Sequence, residues 1–227
     1  MIIEVIATSV DDVLQAEAGG ADRIELITGL QEGGMTPSIG LIREALAATT
    51  LPVHVIVRPH NRSYMYDSFD IRAMVHDIRE IRSLGAAGVV IGSLSPDGRI
   101  DKEILAPVLE AAQGMNITFN RAFDDAKDLD EALEDVLQLN GVNRLLTSGG
   151  QASALDASAK IKQLANRLEG TPVILMAGSG LMPEGIAQFV EATGVSEIHF
   201  GRGVRTVMDG IVRVDPEKIR QIRGAFG

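Results

Sequence analysis

Charged and titratable side chains recur inside or just after short apolar runs, which is where a parallel α/β sheet presents its chemistry. Glu4 interrupts the run Ile2–Ala7, and Glu25 interrupts Arg23–Ile27. His54 and Arg58 stand four apart and so share a strand face. Asn120, Arg121 and Asp124 end the run Ile117–Asn120, Ser148 follows Arg144–Thr147, and His199 lies two residues after Glu197 on one face of Glu197–Phe200. Glu4, Glu25, Arg58, Arg121, Asp124 and His199 form the candidate catalytic set, expected to converge on one pocket. Carboxylates beside arginines stay ionised, because an opposite charge favours the charged form. That suits them to gripping a polar substrate. His199 is the candidate for proton transfer, since its ordinary pKa lies nearest neutral. The same residues also fit a closed salt-bridge network of Glu4 and Glu25 with Arg58 and Arg121, and His54 taken alone fits an interior histidine.

A second set suits anions. Gly178-Ser179-Gly180 and Gly201-Arg202-Gly203 follow the last two apolar runs. Glycine lets backbone N–H groups approach an anion closely, and barrels often bind phosphate with these two loops. Ser148, Gly178, Ser179, Gly180, Gly201, Arg202 and Gly203 are the anion-binding candidates. Two tight turns that need glycine are the plain alternative.

Eight elements of each kind must position these residues. The strands read as Ile2–Ala7, Arg23–Ile27, Val53–Val57, Gly88–Ile91, Ile117–Asn120, Arg144–Thr147, Val173–Ala177 and Glu197–Phe200. Helical periodicity follows each, over Val10–Ala18, Ser38–Ala48, Ile71–Leu84, Lys102–Ala112, Leu129–Leu139, Ala154–Leu168, Pro183–Glu191 and Pro216–Arg223. Strict βα alternation implies a parallel sheet with helices outside. Eight such units, with no GxGxxG after the first strand, favour an α/β (β/α)8 TIM barrel over an open doubly wound sheet. No linker or composition shift divides residues 1–227, so one domain is expected. The stretch Arg58–Asp70 reads as a long loop with Tyr64, Met65 and Tyr66, either a lid or an anchored surface loop.

Composition excludes several chemistries. The net charge of -10 repels phosphate backbones and anionic lipid, which argues against nucleic acid and membrane partners. No cysteine is present, so thiolate nucleophiles and Cys-based metal sites are out. The five lysines lie outside the strands, against a Schiff-base barrel enzyme. No HExxH or carboxylate-rich signature assigns a metal ligand, and the residues name no cofactor. With neither a signal peptide nor an apolar run of about 20 residues, a cytoplasmic protein is expected.

Gly20-Ala21-Asp22-Arg23-Ile24-Glu25-Leu26, Glu32-Gly33-Gly34-Met35-Thr36-Pro37-Ser38, Ile56-Val57-Arg58-Pro59, Thr118-Phe119-Asn120-Arg121-Ala122-Phe123-Asp124 and Leu145-Leu146-Thr147-Ser148-Gly149 together resemble the CutC family of copper homeostasis proteins. The resemblance implies a barrel, a cytoplasmic location, self-association as a homo-oligomer, and copper binding or trafficking. Copper enters only through that name. Members of the family often carry Cys where this chain has Ile6, Ala7 and Ile27, and His where it has Asn120. Copper(I) prefers thiolate and thioether ligands, so weak or no specific copper(I) binding is expected. Three functions stay open: a copper-handling protein, a barrel enzyme acting on a small anionic or phosphorylated metabolite, and a non-catalytic ligand-binding barrel.

Overall fold

Strands rich in Val, Ile and Leu bury both faces only when helices cover one side and other strands enclose the other. In the computed structural model, which describes residues 1–227, eight parallel strands do this by closing on themselves. They are β1 (Ile2–Ala7), β2 (Arg23–Leu26), β3 (Val53–Ile56), β4 (Gly88–Ile91), β5 (Asn116–Phe119), β6 (Val142–Thr147), β7 (Ile174–Gly178) and β8 (Glu197–Phe200). Each pairs with the next, and β8 returns to β1 with Glu4 opposite His199 and Ile2 opposite Glu197. The molecule is a (β/α)8 TIM barrel.

The helices α1 (Val10–Gly19), α2 (Ile39–Ala48), α3 (Ser68–Ser83), α4 (Lys102–Ala111), α5 (Leu129–Leu137), α6 (Ser158–Leu168) and α7 (Ile186–Thr193) connect them, and α8 (Pro216–Gly224) ends the chain. Most of the apolar core lies between strands and helices. Inside the barrel only a small apolar cluster remains, Ile27, Ile56 and Val90 with Ile6 and Leu30 against it. Leu146 and Met176 also face the interior, and charged and polar side chains fill much of the rest. No helix is long and apolar enough to cross a membrane.

Three helix starts differ from the sequence reading by three residues or more, for local reasons. The third helix starts at Ser68 rather than Ile71, because Asp67 caps the N–H groups of Phe69 and Asp70 in a reciprocal box with Asp70. The loop after β3 is correspondingly shorter. The seventh helix starts at Ile186 rather than Pro183, behind Gly185 at φ 78°. Ala154–Ala157 forms a 3-10 turn ahead of α6. One element was not expected at all: β9 (Arg205–Met208) and β10 (Ile211–Val214) form an antiparallel hairpin before α8. Its turn is Asp209-Gly210, with φ 53° and 77°, the left-handed pair that a two-residue hairpin requires. Arg205 anchors its base on Asp12 of α1 at 2.9 Å, while Val207, Met208, Ile211 and Val212 stay exposed.

Candidate functional site

Alternate strand residues face the barrel axis, and here several of them are charged. Arg23 of β2 donates to Glu4 of β1 and to Glu197 of β8. Arg144 of β6 donates to Glu197 through Nε at 2.6 Å and Nη2 at 3.2 Å. All four side chains are buried. The network joins four strands across the axis. Burial would raise the Glu4 pKa, but the Arg23 charge and a hydrogen bond from His199 outweigh it and hold the carboxyl well below the usual range. Burial pushes His54 of β3 down to about 4, so it is neutral at pH 7. Its Nδ1 has no partner within the chain.

Nearer the C-terminal mouth, His199 of β8 places Nδ1 2.7 Å from Glu4 and Nε2 3.7 Å from Glu25. With Glu4 ionised, Nδ1 carries a proton and donates, which fixes the ring and turns Nε2 toward Glu25. Burial acts to lower the His199 pKa, but the Glu25 and Glu4 charges prevail and raise it. Glu25 behaves differently from the expectation for a carboxylate beside arginines. Burial pushes it up to about 7. The cause is its environment: it accepts no hydrogen bond from the chain, and the nearest opposite charge is His199. A carboxyl raised to about 7 facing an imidazole that is itself raised makes an acid–base pair.

The pair opens into a cavity of about 440 Å³, within the range of about 300–1,000 Å³ usual for small-ligand sites. Of the six catalytic candidates, Glu25, Arg121 and His199 line it. Glu4 lies behind His199. Arg58 does not reach the lining, contrary to the expected convergence. It donates to the carbonyls of Glu32 and Gly34, both at 3.2 Å, and stacks 4.3 Å over Tyr64, which does line it. Asp124 also falls outside this cavity. It accepts from Arg121 at 2.8 Å and from the backbone N–H groups of Ser148 at 2.9 Å and Gly150 at 3.0 Å, tying the turn after β5 to the loop after β6. The expected network of Glu4 and Glu25 with Arg58 and Arg121 does not form: Glu4 pairs with Arg23, and Arg144 pairs with Glu197. Arg23 shares a face with Glu25 and Arg144 with Leu146, so spacing two residues back from the mouth was the signal for both.

Of the anion candidates, Ser179, Gly180, Gly201, Arg202 and Gly203 line the cavity. Ser148 does not, its hydroxyl being engaged with Asp124 at 2.9 Å. Gly178 sits below, packed against Leu146 and His199. Gly203 has a packing reason as well: a Cβ there would meet the Leu181 carbonyl oxygen at 2.1 Å. Gly203→Ala is therefore expected to separate these two loops and cost about 1–3 kcal/mol. A urea unfolding curve matching wild type within about 0.5 kcal/mol would contradict this.

Copper(I) calls for soft donors. The chain has no cysteine, no three His, Asp or Glu side chains are arranged to hold a metal ion, and the Met176 sulfur accepts from Arg23 at 3.2 Å. The donor set does not fit copper(I), and no chemistry is assigned through it.

The CutC family profile matches residues 1–204, ending where the hairpin begins. A Bacteroides thetaiotaomicron protein named as a CutC family protein is 44% identical over 198 residues, covering 87% of this chain and 79% of its own length. The Homo sapiens copper homeostasis protein cutC homolog is 39% identical over 198 residues, 87% of this chain and 72% of its own. The crystal structure of a CutC copper homeostasis protein from Streptococcus agalactiae superposes with a TM-score of 0.82 at 28% identity, covering 88% of this chain and 98% of the other. On sequence over nearly nine-tenths of its length and on the course of its backbone, this chain belongs to the CutC family.

Proposed function

We propose that this protein serves copper homeostasis, the role its relatives are named for, and does so through a small-molecule site at the barrel mouth rather than by carrying copper(I). The observation that carries this reading is the Glu4–His199–Glu25 array. A buried carboxyl without a hydrogen bond faces an oriented imidazole at 3.7 Å, at the wall of a cavity. Preorganised titratable groups of this kind bind a polar ligand or move its proton. Neither action requires a metal ligand from the chain. In this reading the protein works in the cytoplasm as a homo-oligomer on a small anionic molecule, with neither nucleic acid nor membrane as partner; the net charge of -10 supports the last point.

Two measurements test it. Titration against a copper(I) chelator is expected to show no stoichiometric, tight site; such a site would overturn the non-carrier reading. In cells lacking their own CutC protein, this chain is expected to restore copper tolerance and Glu25→Gln to fail at equal soluble expression. Failure of the wild type would overturn the copper role, and full rescue by Glu25→Gln would overturn the role of the cavity.

A further inference from the structure

The cavity is lined by two chemically different groups of residues. One part of its lining is Glu25, His199 and Asn120, and another is formed by the loops after β7 and β8. The backbone N–H groups of Ser179, Gly180 and Gly201 donate to no atom of the chain. Two other strand-end amides are satisfied, that of Asn120 by the Ile91 carbonyl at 2.7 Å and that of Ser148 by Asp124 at 2.9 Å. Free backbone donors gathered at one wall are what an oxyanion uses. The charges at the cavity agree. Arg121 is already paired with Asp124 at 2.8 Å, whereas Arg202 is exposed and has no carboxylate partner.

Asn120 supplies an independent sign of a ligand. It is only 4% exposed. Its Oδ1 accepts from the Ala122 N–H at 2.9 Å, which fixes which way the amide faces. Its Nδ2 then has no partner within the chain. A buried amide donor left unsatisfied is costly, and a ligand oxygen would satisfy it.

We infer that the cavity takes a phosphorylated small molecule. Its phosphoryl group sits on the free N–H groups of Ser179, Gly180 and Gly201 beside Arg202, and a hydroxyl or carbonyl elsewhere on it meets Asn120 and the Glu25–His199 pair. Three backbone donors and a guanidinium match the several terminal oxygens of a phosphoryl group better than the two of a carboxylate. This rests on the reading of the cavity as a small-molecule site and names the ligand class for it.

Inorganic phosphate is the probe, followed by amide chemical shifts of the full-length 15N-labelled protein, with acetate as the comparison anion. Phosphate is expected to move the Ser179, Gly180 and Gly201 amide signals saturably, with a Kd on the order of 1–10 mM for so small a fragment. Acetate is expected to bind more weakly. Arg202→Ala, an exposed site, is expected to keep the wild-type melting temperature and weaken phosphate binding by about tenfold. Non-saturating shifts, shifts confined to other surfaces, or unchanged binding in Arg202→Ala would overturn the phosphoryl site. Tighter binding of acetate than of phosphate would replace the phosphorylated ligand by a carboxylate and so overturn the inference as stated. Those failures leave the copper-tolerance result with Glu25→Gln standing, so the two readings fail separately.

Discussion

Replacing Glu197 by Ala is expected to remove about 3–5 kcal/mol of folding stability, among the largest losses available to a single side chain in this barrel. The carboxylate is the shared acceptor of Arg23 and Arg144. Both guanidiniums are buried, and the Nη1 of Arg144 already lacks a partner. Without Glu197, Arg144 has no counterion and Arg23 retains only Glu4. The cost arises mainly from stranding charge in a dry interior, not from the worth of the pair itself. Urea unfolding at pH 7 reads the loss directly. If Glu197→Ala unfolds within about 1 kcal/mol of wild type, water or a rearranged partner reaches the arginines and the interior is not dry.

The second large effect is a dependence on pH. The Glu25 pKa is raised from 4.5 to about 7 by burial. Between those values the folded protein keeps a proton that the unfolded chain has released. Stability contributed by this group is therefore present below pH 4.5 and is lost as pH rises toward 7, by about 3 kcal/mol in all. Two neighbours run differently. Glu4 is lowered, so its contribution is present above pH 4.5 and lost only as pH falls. His199 is raised above 6.5, so its contribution is present below that value and lost as pH rises past its folded pKa. Both persist in Glu25→Gln, the His199 part weakened because Glu25 is the foremost of the charges that raise it. Relative to wild type, Glu25→Gln is expected to match at pH 5 and to gain about 2–3 kcal/mol at pH 8. Urea midpoints at the two pH values test this. Parallel curves would mean that Glu25 ionises at its ordinary pKa, and that it is no proton-exchanging partner for His199.

The barrel was legible because its signals are local. A strand buried on both faces reads as a short run of Val, Ile and Leu, and a helix start reads as Asp215-Pro216 or Thr36-Pro37-Ser38. Repeated eight times, such signals leave few topologies open. The hairpin was equally local, since Asp209-Gly210 between apolar pairs is a strong turn signal. It went unread because a barrel repeat has no place for it. Residues pointing inward were also legible, because side chains alternate across a strand: Glu4, Glu25 and His199 declare themselves as polar residues at buried positions.

Which inward residues meet was a different matter. Glu4 and His199 are 195 positions apart and become neighbours only when β8 closes against β1. Arg58 lies on the same strand face as His54, yet it follows the strand's last paired residue and turns to the carbonyls of Glu32 and Gly34. Arg23 sits one layer deeper and takes the carboxylates instead. The height of a side chain along the axis depends on the stagger between strands, and no window of sequence contains that stagger. The pKa of Glu25 was decided the same way. Its charge state follows from the water and the cations that closure removes from its surroundings, so the residue type named a carboxylate and the closed barrel made it an acid.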